Sequence, residues 1–90
     1  MTRKESMVYL FNKAKEDNAK YIFTTIDLGY DKDEIIINPI DNVDEKIKYL
    51  SKTYNDELEH PHAPVRITGF GYVHNISQLE YAIANPKGVN

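Results

Sequence analysis

The spacing of apolar residues changes period along this chain, and that alternation limits the available folds more than any single motif does. Over "KYIFTTIDLGY" the period is two. Ile22, Thr24, Ile26 and Leu28 fall on one face, and Tyr21, Phe23, Thr25 and Asp27 on the other. Before it, "TRKESMVYLFNKAKEDNAK" has the helical spacing, with Met7, Leu10, Phe11 and Ala14 on one stripe. Thr2 followed by Glu5 predicts a capping box at its start, and Asp17-Asn18 a stop. After it, "GYDKDE" reads as a turn and "EIIINPI" as a short β-branched strand ended by Pro39.

The second half repeats the alternation. "DNVDEKIKYLSKTYNDELEH" predicts a helix capped by Asn42, with Val43, Ile47, Leu50 and Tyr54 on its stripe and Leu58 a turn further on. Acidic residues sit in its first turn, where the helix dipole favours them. Two prolines make "EHPHAP" a loop. "VRITGFGYVH" returns to period two. Simple alternation sets Val65, Ile67, Gly69, Gly71 and Val73 against Arg66, Thr68, Phe70, Tyr72 and His74. "NISQLEYAIA" predicts a third helix with Ile76, Leu79, Ala82 and Ile83 inward, and "NPKGVN" a tail.

These elements imply an α+β two-layer sandwich in the order α-β-β-α-β-α. Its sheet is three-stranded and mainly antiparallel in the spatial order 2-1-3, with helices packed on it. The expected domain is single, residues 1–90, with an ordered core of about 3–84. Ninety residues bury only about 60% of the unfolded surface, so the core must be small.

Composition narrows the function. The net charge of −3 is the wrong sign for a general nucleic-acid binder and too small for a polyanion mimic. No apolar run reaches the ~18 residues needed to cross a membrane, and "MTRKESMVYLF" lacks a signal-peptide pattern. A cytoplasmic protein is expected. Without cysteine there is no disulfide, thiolate metal site or cysteine nucleophile.

"TGFGYVHN" carries the strongest motif. Its central residues, Gly69, Phe70, Gly71, Tyr72 and Val73, resemble the base-stacking strand of RNA-recognition domains. Thr68 stands where that signature has a basic residue, Asn75 where it has an aromatic one, and the element order differs from βαββαβ. Nucleic-acid binding is therefore the second reading. The first is that one sheet face presents Tyr21, Phe23, Phe70 and Tyr72, with Arg66 and His74 beside them, to a protein partner or a second copy. The competing expectation is that a helix covers that face and the rings only pack.

His60, His62 and His74 are the candidate metal ligands, with Glu57 or Glu59 as a carboxylate. Pro61 and Pro64 point instead to a loop that merely carries imidazoles. No G-x-S-x-G, phosphate loop or H-E-x-x-H is present, so no catalytic residue and no cofactor is expected. His74 with Asp27 is a candidate acid/base pair. The acidic residues Asp41, Asp44, Glu45, Asp56, Glu57 and Glu59 are read as dipole complements and solubilising charge.

"EIIINP", "DEKIKYLSKTYNDEL" and "RITGFGYV" together resemble small accessory proteins of phages and prophages of low-GC Gram-positive bacteria. The resemblance implies a short protein that acts by binding, including inhibitors of host enzymes or defence systems. It implies no residue role.

Overall fold

The computed structural model describes residues 1–79. Helix α1 (Arg3–Glu16) begins with the predicted capping box: Thr2 Oγ1 accepts from Glu5 N–H, and Glu5 accepts from Thr2 N–H at 2.8 Å. It ends where expected. Asn18 takes the left-handed conformation (φ 56°), and the Asn18 and Ala19 N–H groups donate to Lys15 and Ala14 carbonyls. Those are the paired bonds of a Schellman stop.

Strands β1 (Tyr21–Asp27), β2 (Glu34–Pro39) and β3 (Arg66–Val73) form one sheet in the order β2-β1-β3, antiparallel at both junctions. Between β2 and β3 run a single 3-10 turn (Ile40–Asn42) and helix α2 (Val43–Thr53). Residues 76–79 are helical, the start of the predicted third helix. Its remainder and the tail lie outside the described residues. The α+β class, the element order and the 2-1-3 topology are as the sequence predicts.

Both long helices pack on one sheet face. Met7, Phe11 and Ala14 of α1 and Val43 and Leu50 of α2 form a buried cluster with Ile22 and Ile26 of β1 and Ile67 of β3. The fully buried Phe11, Met7, Ile22 and Leu50 side chains each contribute about 1.5–3 kcal/mol by removal from water.

Two boundaries differ from expectation. Asn42 makes no side-chain cap bond to α2, because its backbone (φ −94°, ψ 5°) is already close to helical after the 3-10 turn. A capping side chain needs the extended conformation to reach the N–H groups ahead of it. The helix also stops at Thr53, short of Leu58. The Asn55 side chain accepts from the Glu57 and Glu59 N–H groups at 3.0 and 2.9 Å, offering the backbone a turn in place of another helical one. Leu58 is buried as the stripe requires, but from that turn and with φ 62°.

The largest departure lies in β3. Thr25 faces Gly69 and Ile26 faces Ile67, so Thr68 is an extra residue, a β-bulge. Counting by twos through it assigns every later residue to the wrong face.

Candidate functional site

The sheet face turned away from the core is built from the odd-numbered residues of β1. Tyr21 pairs with Pro39 and Val73, Phe23 with Ile37 and Gly71, and Thr25 with Ile35 and Gly69. Directly paired residues share a face. Tyr21, Phe23, Ile35, Ile37 and Val73 are half-buried, and none belongs to the core cluster or packs against it. All three strands contribute, which makes a continuous apolar surface. Gly71 is buried beneath Phe23, whose ring fills the space a Cβ at 71 would need.

The six residues predicted to share a binding face do not all do so. Tyr21 and Phe23 lie on that face, open in the sense that neither α1 nor α2 covers it; Leu79 at the start of the third helix is buried outside the α1–α2 cluster. Phe70 and Tyr72 lie on the opposite face, opposite Thr24 and Ile22. The bulge at Thr68 is the cause. Phe70 meets Phe11 edge-to-face at 6.4 Å, worth about 0.5–1.5 kcal/mol beyond burial, and the Arg3 guanidinium lies 5.8 Å over its ring. Tyr72 donates its hydroxyl to Asp17 at the end of α1, and that bond raises the phenol pKa above its ordinary range. His74 follows the last residue of β3, and its ring meets Tyr72 edge-on.

Arg66 stands at the rim of the open face, paired with Asp27 across β1–β3 at 3.4 Å. Asp27 also accepts from Gly29 N–H at 2.8 Å. That bond does most to hold its carboxyl below the usual range; partial burial opposes it and Arg66 adds to it. Thr68, the bulged residue, donates to Asp33 at 2.6 Å and lies 2.9 Å from the Thr25 hydroxyl. The rim is thus polar and satisfied, while the centre is apolar.

Beside Arg66, a shallow concavity is lined by Arg3, Glu57, Glu59, Arg66, Ile67 and Thr68. Its charges are mixed and partly engaged: Arg3 Nη2 donates to the Ile67 carbonyl at 2.8 Å. The 55–59 turn forms its wall, anchored by Lys4 N–H to Asp56 C=O and Ile67 N–H to Leu58 C=O, each 2.9 Å.

The histidines do not converge. His60 and His62 sit edge-on at 6.2 Å before β3, and His74 lies beyond its far end. His60 Nδ1 accepts from His62 N–H at 3.0 Å, so one ring nitrogen serves the loop. Among the described residues no group of three or more His, Asp or Glu side chains is placed to hold a metal ion. Asp27 and His74 stand at opposite ends of the sheet and cannot act as a pair.

No protein-family model, curated protein or solved structure matches this chain. No helix among the described residues is long and apolar enough to cross a membrane. Ile35, Ile37 and Val73 of the open face were not among the predicted binding residues. The signal for two of them was present, because pairing "EIIINP" antiparallel to "YIFTTID" puts alternate isoleucines beside Phe23 and Thr25.

Proposed function

We propose that this chain is a non-enzymatic binding protein that engages another protein through the open face of its sheet. The observation that carries the reading is the clustering of Tyr21, Phe23, Ile35, Ile37 and Val73 on the face away from α1 and α2, with Asp27 and Arg66 at its rim. An apolar centre with aromatic side chains and a polar rim is the layout of a protein interface. The partner it fits presents apolar side chains to the centre and is read by charge only at the edge. The net charge of −3 and the engagement of Arg66 with Asp27 both disfavour a phosphate backbone. The resemblance to phage and prophage accessory proteins supports the same reading. It would make the chain a cytoplasmic modulator or inhibitor of a host enzyme or defence system.

A photo-reactive phenylalanine tests this directly. Placed at Tyr21, it is expected to cross-link one protein species in cells, and Phe23→Ala suppresses that product while the circular-dichroism melt stays cooperative. The same group at Tyr9, exposed on α1 and remote from the face, gives no such product. Equal yields at both positions, or none at Tyr21, would sink the proposal. A product containing RNA or DNA would move the reading to single-stranded nucleic-acid binding.

A further inference from the structure

Strand β2 is an edge, and among the described residues no backbone group bonds to its outer side. Among the described residues its one strand neighbour is β1. The Ile40 N–H donates to the Lys20 carbonyl at 2.9 Å, one step beyond the Tyr21–Pro39 pair. That bond sets the phase of the ladder. Even-numbered residues of β2 bond inward to β1, and the N–H and C=O groups of Ile35 and Ile37, with the Pro39 carbonyl, point outward. Edge strands are usually shielded by charged residues, proline, bulges, shortness or cover. In β2 the charge and the proline are confined to the two ends, Glu34 and Pro39; Ile35 to Asn38 between them carry neither, and the β1–β2 register runs without a shift. The opposite edge differs. There Ile67 N–H bonds to Leu58, Val65 C=O accepts from His60, and Arg3 takes the Ile67 carbonyl.

We propose that two copies of this chain pair antiparallel through β2, about a two-fold axis at Ile36. The axis must keep each residue opposite one of the same face, which confines the pairing to registers centred on a residue. Centring on Ile36 places Ile35 opposite Ile37 of the second copy, and Ile37 opposite Ile35. Both are outward-facing, so each pair exchanges two backbone hydrogen bonds. Ile36 then meets its own copy in the closer, non-bonded pair. It is the one strand residue among the exposed large hydrophobics, at 37%. Glu34 meets Asn38, so no like charges oppose within the strand. Centring on Ile37 is poorer: it sets Ile35 against Pro39, which has no N–H to give, and leaves Ile36 opposite Asn38. The self-match of Ile36 favours a second copy over an unrelated strand. The same strand lends the Ile35 and Ile37 side chains to the open face, but this pairing uses their backbone groups and the Ile36 side chain, which lies on the other face opposite Thr24.

Sedimentation velocity on the full chain tests the pairing, read beside amide exchange at high and low protein concentration. The expected result is a mass that doubles with concentration, with the Ile35 and Ile37 amides protected only in the larger species. Ile36→Lys raises the dissociation constant by about tenfold or more. Ile37→Pro, which removes an outward N–H and no internal bond, does the same should the lysine variant unfold. A chain that stays monomeric overturns the proposal. So does a dimer in which those two amides exchange freely, or whose dissociation constant neither substitution moves.

Discussion

The ring of Phe23 occupies the space above Gly71: a Cβ added there would lie 2.7 Å from its Cζ and 2.9 Å from a neighbouring ring carbon. The absence of a side chain at 71 thus lets an aromatic reach across from β1 onto β3. Gly71→Ala forces the ring to swing away or the strands to part, and overpacking of that kind costs about 1–3 kcal/mol. In a Phe23→Ala background the obstruction is gone. The same substitution then becomes neutral or stabilising by about 0.5–1 kcal/mol, because alanine has less backbone freedom to lose in a strand. Denaturant melts of the four variants give the coupling directly. Equal effects of Gly71→Ala in both backgrounds would show that the ring does not depend on the glycine.

That pair also shows what was legible in the sequence. The glycines of "TGFGYV" announce a close approach, and the approach is real, but the partner is an aromatic on the neighbouring strand. Helix α1, its capping box and its stop were readable because they depend on residues a few positions apart. The 2-1-3 sheet was readable because the period-two segments and their connections left few alternatives. The face of Phe70 and Tyr72 was not, because a bulge is set by how two distant strands fit together and leaves no mark on the alternation of either one. The end of α2 was hidden for a related reason. Leu58 keeps the helical spacing and is buried, yet Asn55 satisfies the backbone locally and diverts the chain.

Leu58 carries a conflict that mutation can separate. Its side chain is fully buried, while its φ of 62° places a branched residue in the left-handed region. That conformation costs roughly 1–2 kcal/mol. Emptying the site costs about 2–5 kcal/mol, so burial wins and leucine is retained. Leu58→Ala should therefore destabilise by an amount in that range. Leu58→Gly should be no worse than Leu58→Ala, and up to about 1 kcal/mol better, against the usual order in which glycine is the weaker residue. Urea melts of the two variants decide the point. A glycine variant clearly less stable than the alanine one would mean that the turn is not strained at this residue.

Thr68 offers the sharpest test of how the sheet is assembled. As the extra residue opposite Thr25, it is the reason Ile67 and Phe70 can both face the helices although three positions separate them. Removing it leaves Ile67, Gly69, Phe70, Gly71 and Tyr72 in strict alternation, inward and outward as the packing already requires. The losses are the Thr68 bonds to Thr25 and Asp33, part-buried and exposed respectively. Each is worth about 0.5–1.5 kcal/mol net. Deletion of Thr68 should therefore give a protein that still melts cooperatively, weakened by a few kcal/mol at most. Deletion of Thr24 in β1 is the matched control. It throws Ile22 or Ile26 to the wrong face of the central strand and should abolish the cooperative transition, because one slipped residue inverts every side chain beyond it. If the Thr68 deletion unfolds as completely as the Thr24 deletion, the bulge is required for the fold, and its twist must shape the packing of α1 on β3.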